Sequence, residues 1–227
     1  PGAIALDAVD LALFPGEVHA LLGENGAGKS TLIKCLTGAY RRDGGTIALA
    51  GDEINPSSTL ESQELGIGTV YQEVNLLPNL TVAENLFLGR QPMRYGFISQ
   101  RQMQAEAREM LADFGLSINP ADLLSTFSVA VQQVVAIARA VALSGKVLIL
   151  DEPTASLDRE EVDLLFSVVR KLKERGLAIV FITHFLEQVF AICDRATVLR
   201  NGRVVGTRTL ADASQGDIVH LMLGRQL

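Results

Sequence analysis

The sequence predicts an α/β domain with a mainly parallel core sheet, antiparallel β elements and an inserted helical segment. Strand-length apolar runs alternate with helix-period segments through the second half of the chain, which implies parallel strands covered on both faces. A glycine-rich stretch, Gly23–Ser30, separates a strand pattern from a helix pattern. From Leu76 to about Thr126 the strand signal gives way to helical periodicity.

In chain order, Val9, Leu11 and Leu13 alternate with polar or small residues and predict a first strand. Pro15-Gly16 predicts a turn, and Glu17–Leu22 a second strand. Thr31–Thr37 reads as a helix, and Thr46–Ala50 and Gly68–Tyr71 as strands. Ser99 with Gln102 suggests a capping box. Met103, Ala107, Met110, Leu111 and Phe114 follow at helical spacing, with Gly115 as the stop. Val131, Val134, Val135, Ala138, Val141 and Ala142 mark the next amphipathic helix.

Strand Val147–Leu150 precedes helix Arg159–Arg175, whose Val162, Leu165, Phe166, Val169 and Leu172 share one face. Strand Leu177–Ile182 precedes helix Phe185–Ile192. Asn201-Gly202 signals a hairpin between Thr197–Arg200 and Arg203–Val205. Ser214–Leu223 is a last helix. The expected division is one domain over 1–227, with a core at 1–75 and 146–227 and a helical subdomain at about 76–145.

The 227 residues are 48% hydrophobic and 20% charged, as expected of a packed domain rather than a disordered one. The net charge of −6, with no long Lys/Arg cluster, argues against gripping nucleic acid through phosphates. No stretch approaches the ~20 apolar residues of a membrane span, and no signal peptide is recognised. Two cysteines, Cys35 and Cys193, read as buried free thiols of a cytosolic chain. The chain starts Pro1-Gly2-Ala3, which reads as a piece of something longer.

Gly23-Glu24-Asn25-Gly26-Ala27-Gly28-Lys29-Ser30 matches the P-loop pattern. Its glycines let backbone N–H groups converge on phosphate oxygens, and the following helix offers its positive end to the same anion. Lys29 is placed to reach the β- and γ-phosphates, and Ser30 to offer its hydroxyl to Mg²⁺. Val147–Leu150 ends in Asp151-Glu152, and ligands sit at strand C-terminal ends in such sheets. Asp151 is therefore placed at a magnesium shell, and Glu152 where it could take a proton from water. Gln72 and His184 each follow a strand, and either alone is also compatible with a structural role.

Lys29, Gln72, the Ser128 region, Asp151-Glu152, Asp158 and His184 occur in the order of the ABC ATPase motifs, and the chain resembles that P-loop NTPase family along its whole length. The resemblance implies ATP and Mg²⁺ as ligands, and two such domains clamping two ATP molecules face to face. It makes Lys29, Glu152 and His184 catalytic, with Ser30, Gln72 and Asp151 at the metal. It places Gly23, Glu24, Asn25, Gly26, Ala27, Gly28, Lys29, Ser30, Thr31, Gln72, Ser128 and Asp158 around nucleotide. Thr31 would contact the α-phosphate and His184 the γ-phosphate; Gln72 would link Mg²⁺ to a permease, and Asp158 would cross the dimer interface. Asp158 with Glu161 also reads as a helix N-cap. His19 and His220 match no motif.

Gly23–Leu32, Val70-Tyr71-Gln72-Glu73 and Asp151–Leu157 resemble bacterial monosaccharide importers of the ribose, xylose and galactose type. Those fuse two ATPase domains in one polypeptide, and this chain resembles the N-terminal half. The run Phe127–Gln133 is closest to the galactofuranose-importing members. The implied partners are a second ATPase domain, a membrane permease and, indirectly, a periplasmic sugar-binding protein, at the cytoplasmic face of the inner membrane. A permease-docking groove is expected near Gln72 and Leu76–Leu80.

Two departures stand out. The family's adenine-stacking aromatic would lie before Pro1, so the adenine platform and first strand are expected to be missing. Phe127, Val129 and Val131 replace the Leu, first Gly and Gln of the Leu-Ser-Gly-Gly-Gln signature, while Ser128 remains. Two other readings are a nucleotide-gated clamp on DNA or ribosomes, and a small-molecule kinase. The first lacks sustained heptads between Gln72 and Ser128, and the second lacks an arginine-rich lid.

Overall fold

The computed structural model describes residues 4–71 and 76–224. Gln72 therefore lies outside the described residues, as do Glu73, Val74 and Asn75.

In chain order the strand β1 (Val18–Leu22) leads through the glycine loop into the helix α1 (Lys29–Leu36). A hairpin of β2 (Ile47–Leu49) and β3 (Asp52–Ile54) follows, then α2 (Thr59–Leu65) and β4 (Ile67–Val70). Next come α3 (Val82–Leu86), a hairpin of β5 (Met93–Arg94) and β6 (Phe97–Ile98), α4 (Gln100–Asp113) and α5 (Val129–Leu143). The chain continues through β7 (Val147–Asp151), α6 (Arg159–Glu174), β8 (Ala178–Ile182) and α7 (Leu186–Ile192). It closes with β9 (Arg195–Arg200), β10 (Arg203–Thr209) and α8 (Gln215–Leu223).

Six strands form the main sheet in the order β10-β9-β1-β8-β7-β4, all parallel except the β9–β10 hairpin. Continuous apolar runs such as Ala178–Ile182 become strands buried on both faces. One face of the pleat sends Leu148, Leu150, Ile179 and Phe181 into a cluster with α5 and α6. The other sends Leu21, Ile149, Val180 and Ile182 against Leu32 and Ile33 of α1. The first cluster runs without a break into Val82 and Leu86 of α3 and Met103, Ala107 and Leu111 of α4.

Several expectations need correction. Residues 9–13 form no strand, although Val9, Leu11 and Leu13 do pack on the core with the alternation expected. Alternation records which side faces inward; a strand also needs a neighbour to complete its ladder, and none of the described strands pairs there. The segment from Leu76 to Thr126 is not helical throughout, because it contains the β5–β6 hairpin. Ser99 is the N-cap of α4 but makes no side-chain capping bond, and Gln102 donates instead to Glu106 Oε1 at 2.8 Å. The reciprocal half of the box has no donor left, since Ser99 N–H donates to Pro92 O at 2.8 Å across the β5–β6 hairpin. Cys35 and Cys193 are free thiols, but half-buried rather than enclosed, since each lies near a helix end that its neighbours only partly cover.

Candidate active site

The sheet order decides where the chemistry-bearing residues meet. β8 lies between β1 and β7, and the register aligns Leu21 with Ile182 and Ile182 with Asp151. The glycine loop leaves the tip of β1, Thr183-His184 leaves β8, and Asp151-Glu152 ends β7. Three neighbouring strand tips thus open on one edge of the sheet, and β4 brings the chain to Tyr71 on the far side of β7.

The glycine loop is built to hold its backbone close to something. Gly28 is the N-cap of α1 at φ +110°, and no side chain caps the helix. The first N–H groups of α1 are left for an anion, at the positive end of the helix dipole. Gly26 has φ +82° and open space where a Cβ would stand. Gly202 N–H donates to Ala27 O at 2.9 Å, so the β9–β10 turn pins the loop. A cavity of about 580 Å³ results, lined by residues 25–31, by Asp151 and Glu152, and by Ala5 and Gly202.

Electrostatics oppose one ammonium to two carboxylates. Lys29 Nζ donates to Gly23 O at 2.6 Å and to Glu24 O at 3.2 Å. Burial lowers the Lys29 pKa, and the charges of Glu152 and Asp151 work against that. Burial, then the neighbouring Glu152, raises the Asp151 pKa, with Lys29 opposing. Glu152 stands in the left-handed region at φ +49°, and its N–H donates to Ile182 O at 2.9 Å. Such a conformation costs a non-glycine residue on the order of 1–3 kcal/mol and is held here by the surrounding strands. His184 Nδ1 lies 3.6 Å from Glu152 Oε1, near enough to attract as imidazolium but too long for a hydrogen bond. Its ring is largely exposed and packs on Phe185.

Residues 25–31, Asp151 and Glu152 therefore converge as expected, with Gly23 holding Lys29 and His184 at the margin. Ser128 and Asp158 do not line this cavity. Ser128 is the N-cap of α5, its Oγ accepting from Val131 N–H at 3.5 Å. Asp158 caps α6, with a reciprocal box to Glu161. Three participants were not singled out from sequence. Ala5 carries no chemistry to signal its place. Asn201-Gly202 was legible only as a turn. Gln188 accepts from Thr154 Oγ1 at 2.6 Å and from Thr183 Oγ1 at 3.5 Å, tying the segment after Glu152 to the end of β8; its spacing matches no motif.

The residues suit a magnesium-bound triphosphate: uncapped N–H groups and an ammonium for phosphate, a carboxylate and the Ser30 hydroxyl for the metal. Among the described residues no group of three or more His, Cys, Asp or Glu side chains could hold a metal alone.

This combination of sheet order, glycine cradle and paired carboxylates at adjoining strand tips defines a P-loop nucleotide-binding domain. The chain belongs to the ABC transporter family, whose profile matches residues 6–155. It is 58% identical over its whole length to the galactofuranose transporter ATP-binding protein YtfR of Escherichia coli (strain K12), covering 45% of that protein. It is 53% identical, again over its whole length, to the ribose import ATP-binding protein RbsA 1 of Streptomyces avermitilis, covering 43% of it. The chain thus spans a little under half the length of these curated relatives. The ADP conformation of MJ1267, an ATP-binding cassette of an ABC transporter, superposes with a TM-score of 0.83 at 26% identity, over 97% of this chain and 93% of that one.

Proposed function

We propose that this chain is the MgATP-binding and hydrolysing motor of an importer that carries a monosaccharide through a membrane permease. The observation that carries the reading is the gathering of Lys29, Asp151 and Glu152 around one glycine-lined cavity, with His184 at its margin from the strand tip between them. The relatives' names supply the cargo class, sugar, and galactofuranose is the sugar named for the 58%-identical one.

In this reading the N–H groups opening α1 and the Lys29 ammonium bind the β- and γ-phosphates. Thr31 reaches the α-phosphate, and Ser30, Asp151 and Gln72 hold the metal. When bound, Mg²⁺ neutralises charge on the phosphate oxygens. Glu152 accepts the proton of the attacking water at its carboxylate, and His184 contacts the γ-phosphate from the next strand tip. A second ATPase domain faces this one, with Ser128 and Asp158 at the interface, and residues about 76–145 act as a helical subdomain. The assembly sits peripherally at the cytoplasmic side of the membrane, where the permease receives sugar from a binding protein.

The permease docks near Leu76–Leu80. Leu76 and Leu80 are half-buried, so the exposed apolar contact is Leu77, 47% exposed. Buried Asn85 fixes that loop: its Oδ1 accepts from Leu77 N–H at 2.7 Å, and its Nδ2 donates to Leu77 O at 2.9 Å and to Thr81 O at 3.0 Å. Leu77 is thereby offered at a fixed place.

The test is Glu152→Gln in the full-length transporter. ATP binding should persist while turnover falls by about 10²–10⁴-fold, the usual loss on removing a general base. Turnover at the wild-type rate would overturn the assignment.

A further inference from the structure

The β5–β6 hairpin has a composition that the ATP site does not use. Tyr95 is 87% exposed, Phe97 78%, Met93 60% and Ile98 47%. Met93 pairs with Ile98, and Arg94 with Phe97, so apolar side chains stand on both faces of the ribbon. A ribbon lying on its own protein would cover one face; this one projects. Tyr95 at φ +52° and Gly96 at φ +83° make a turn of two left-handed residues, where asparagine or glycine is the usual first residue. An aromatic there is disfavoured by the backbone, yet its ring stands almost wholly in solvent.

The charge around the hairpin runs against the rest of the chain. The whole carries 20 Lys and Arg against 26 Asp and Glu. Residues 85–105 hold three arginines, Arg90, Arg94 and Arg101, and no acidic residue. Arg90 is tied inward to Leu86 O and Ala142 O. Arg94 lies over the Tyr95 ring at 5.3 Å, and Arg94 and Arg101 are exposed, with no ion pair to either among the described residues.

We propose that this hairpin dips into the interfacial layer of an anionic phospholipid membrane. Tyr95, Phe97, Met93 and Ile98 enter the headgroup–acyl boundary, and Arg94 and Arg101 pair with lipid phosphates. An apolar tip with an aromatic ring and a basic collar is the composition that boundary selects. Exposure of both ribbon faces favours a medium that surrounds the tip over a flat protein surface. Lipid contact of this kind requires no ATP turnover, so it stands apart from the transport reading.

The chain contains no tryptophan, so Tyr95→Trp is a single reporter at the tip. With phosphatidylcholine vesicles containing phosphatidylglycerol, its emission should move to the blue and be quenched by brominated acyl chains. Phosphatidylcholine alone should give a weaker response, and added salt should weaken binding to the anionic vesicles. In vesicle sedimentation, Tyr95→Ser with Phe97→Ser should lower partitioning at least about tenfold. Arg94→Gln and Arg101→Gln should each lower it about fivefold. Unchanged thermal melts keep folding out of the comparison. A tip reporter indifferent to both vesicles would overturn the proposal. So would a blue shift seen only with a reconstituted permease, which would assign the hairpin to protein contact.

Discussion

His19 is buried to 1% exposure at the second position of an otherwise apolar strand. Its two ring nitrogens lie 2.8 Å from Glu17 Oε1 and 2.8 Å from Thr197 Oγ1, and Thr197 in turn meets Thr207. Arg195 also reaches Glu17 at 3.3 Å. This network fastens β1 to β9 and β10 across the sheet edge that carries the Asn201-Gly202 turn. Burial lowers the His19 pKa; Glu17 opposes this, and the Arg195 charge reinforces it. The folded state therefore resists protonation, while the unfolded chain takes up a proton near the ordinary value of about 6.5. The contribution of His19 is fully present above that pH and is lost as pH falls toward the lowered folded value. Urea unfolding between about pH 7.5 and 5.5 should show stability falling with a slope of up to about 1.4 kcal/mol per unit from this group. His19→Gln keeps a donor and an acceptor but removes the titration, and its profile should be flatter. An equally steep profile would place the acid sensitivity elsewhere. Nothing in the sequence marked this residue: Glu17 beside it reads as an ordinary polar neighbour, and its other partner, Thr197, lies 178 positions away.

At the scale of elements, close approach explains what periodicity does not. Gly68 lies on β4, and a Cβ there would stand 2.1 Å from Ser144 Oγ and 3.2 Å from Ala140 O. The β4 backbone thus lies directly against the Ser144 hydroxyl and the Ala140 carbonyl at the end of α5, and Ser144 Oγ is already committed to Ala140 O at 2.7 Å. Gly68→Ala should cost about 1–3 kcal/mol in chemical denaturation, as overpacking in a filled core does. Adding Ser144→Ala removes the nearest clash and should recover part of the loss; no recovery would mean that the Ala140 carbonyl dominates. The strands Val147–Leu150 and Ala178–Ile182 and helix Arg159–Glu174 were legible in sequence because burial on both faces, or on one helical stripe, leaves a direct pattern. The convergence of residues 25–31 with Asp151-Glu152 on one cavity was legible too, because local spacing marks both segments. The short β5–β6 hairpin was not, since two-residue strands are too short to display a period. Residues 9–13 misled in the opposite direction, because burial alternates along a segment that no strand joins. Gln188 and the Gly202–Ala27 tie follow from tertiary distance, which spacing does not encode.

At the scale of the whole molecule, the chain spans less than half the length of these relatives, and the face-to-face pairing proposed above would give two ATP sites of unequal composition. The P-loop, both carboxylates and His184 are present here, while Phe127, Val129 and Val131 stand where the resemblance expects the signature's Leu, first Gly and Gln. That signature opens α5, with Ser128 as N-cap and Val129 exposed at the first helical position. In the proposed pairing it closes on the other domain's nucleotide rather than on the ATP held by Lys29. Glycine at that position lets backbone N–H groups come close to a phosphate, whereas the branched Cβ of Val129 keeps them back. On that proposal the site built on Lys29 should be the hydrolytic one, completed by the partner's signature, and the site served by Ser128 should be weak or structural. Two variants of the full-length transporter separate this from two equal sites. Lys29→Ala removes the ammonium facing the phosphates and should abolish nearly all ATPase activity. Ser128→Arg blocks only the approach of α5 to the other nucleotide and should leave most of it, with Ser128→Ala as the milder control for helix capping. The Ser128 bond is long at 3.5 Å, so losing that cap should cost no more than about 0.5 kcal/mol of stability. Equal loss of turnover from Lys29→Ala and Ser128→Arg would show that both sites hydrolyse ATP and that Val129 is a tolerated replacement.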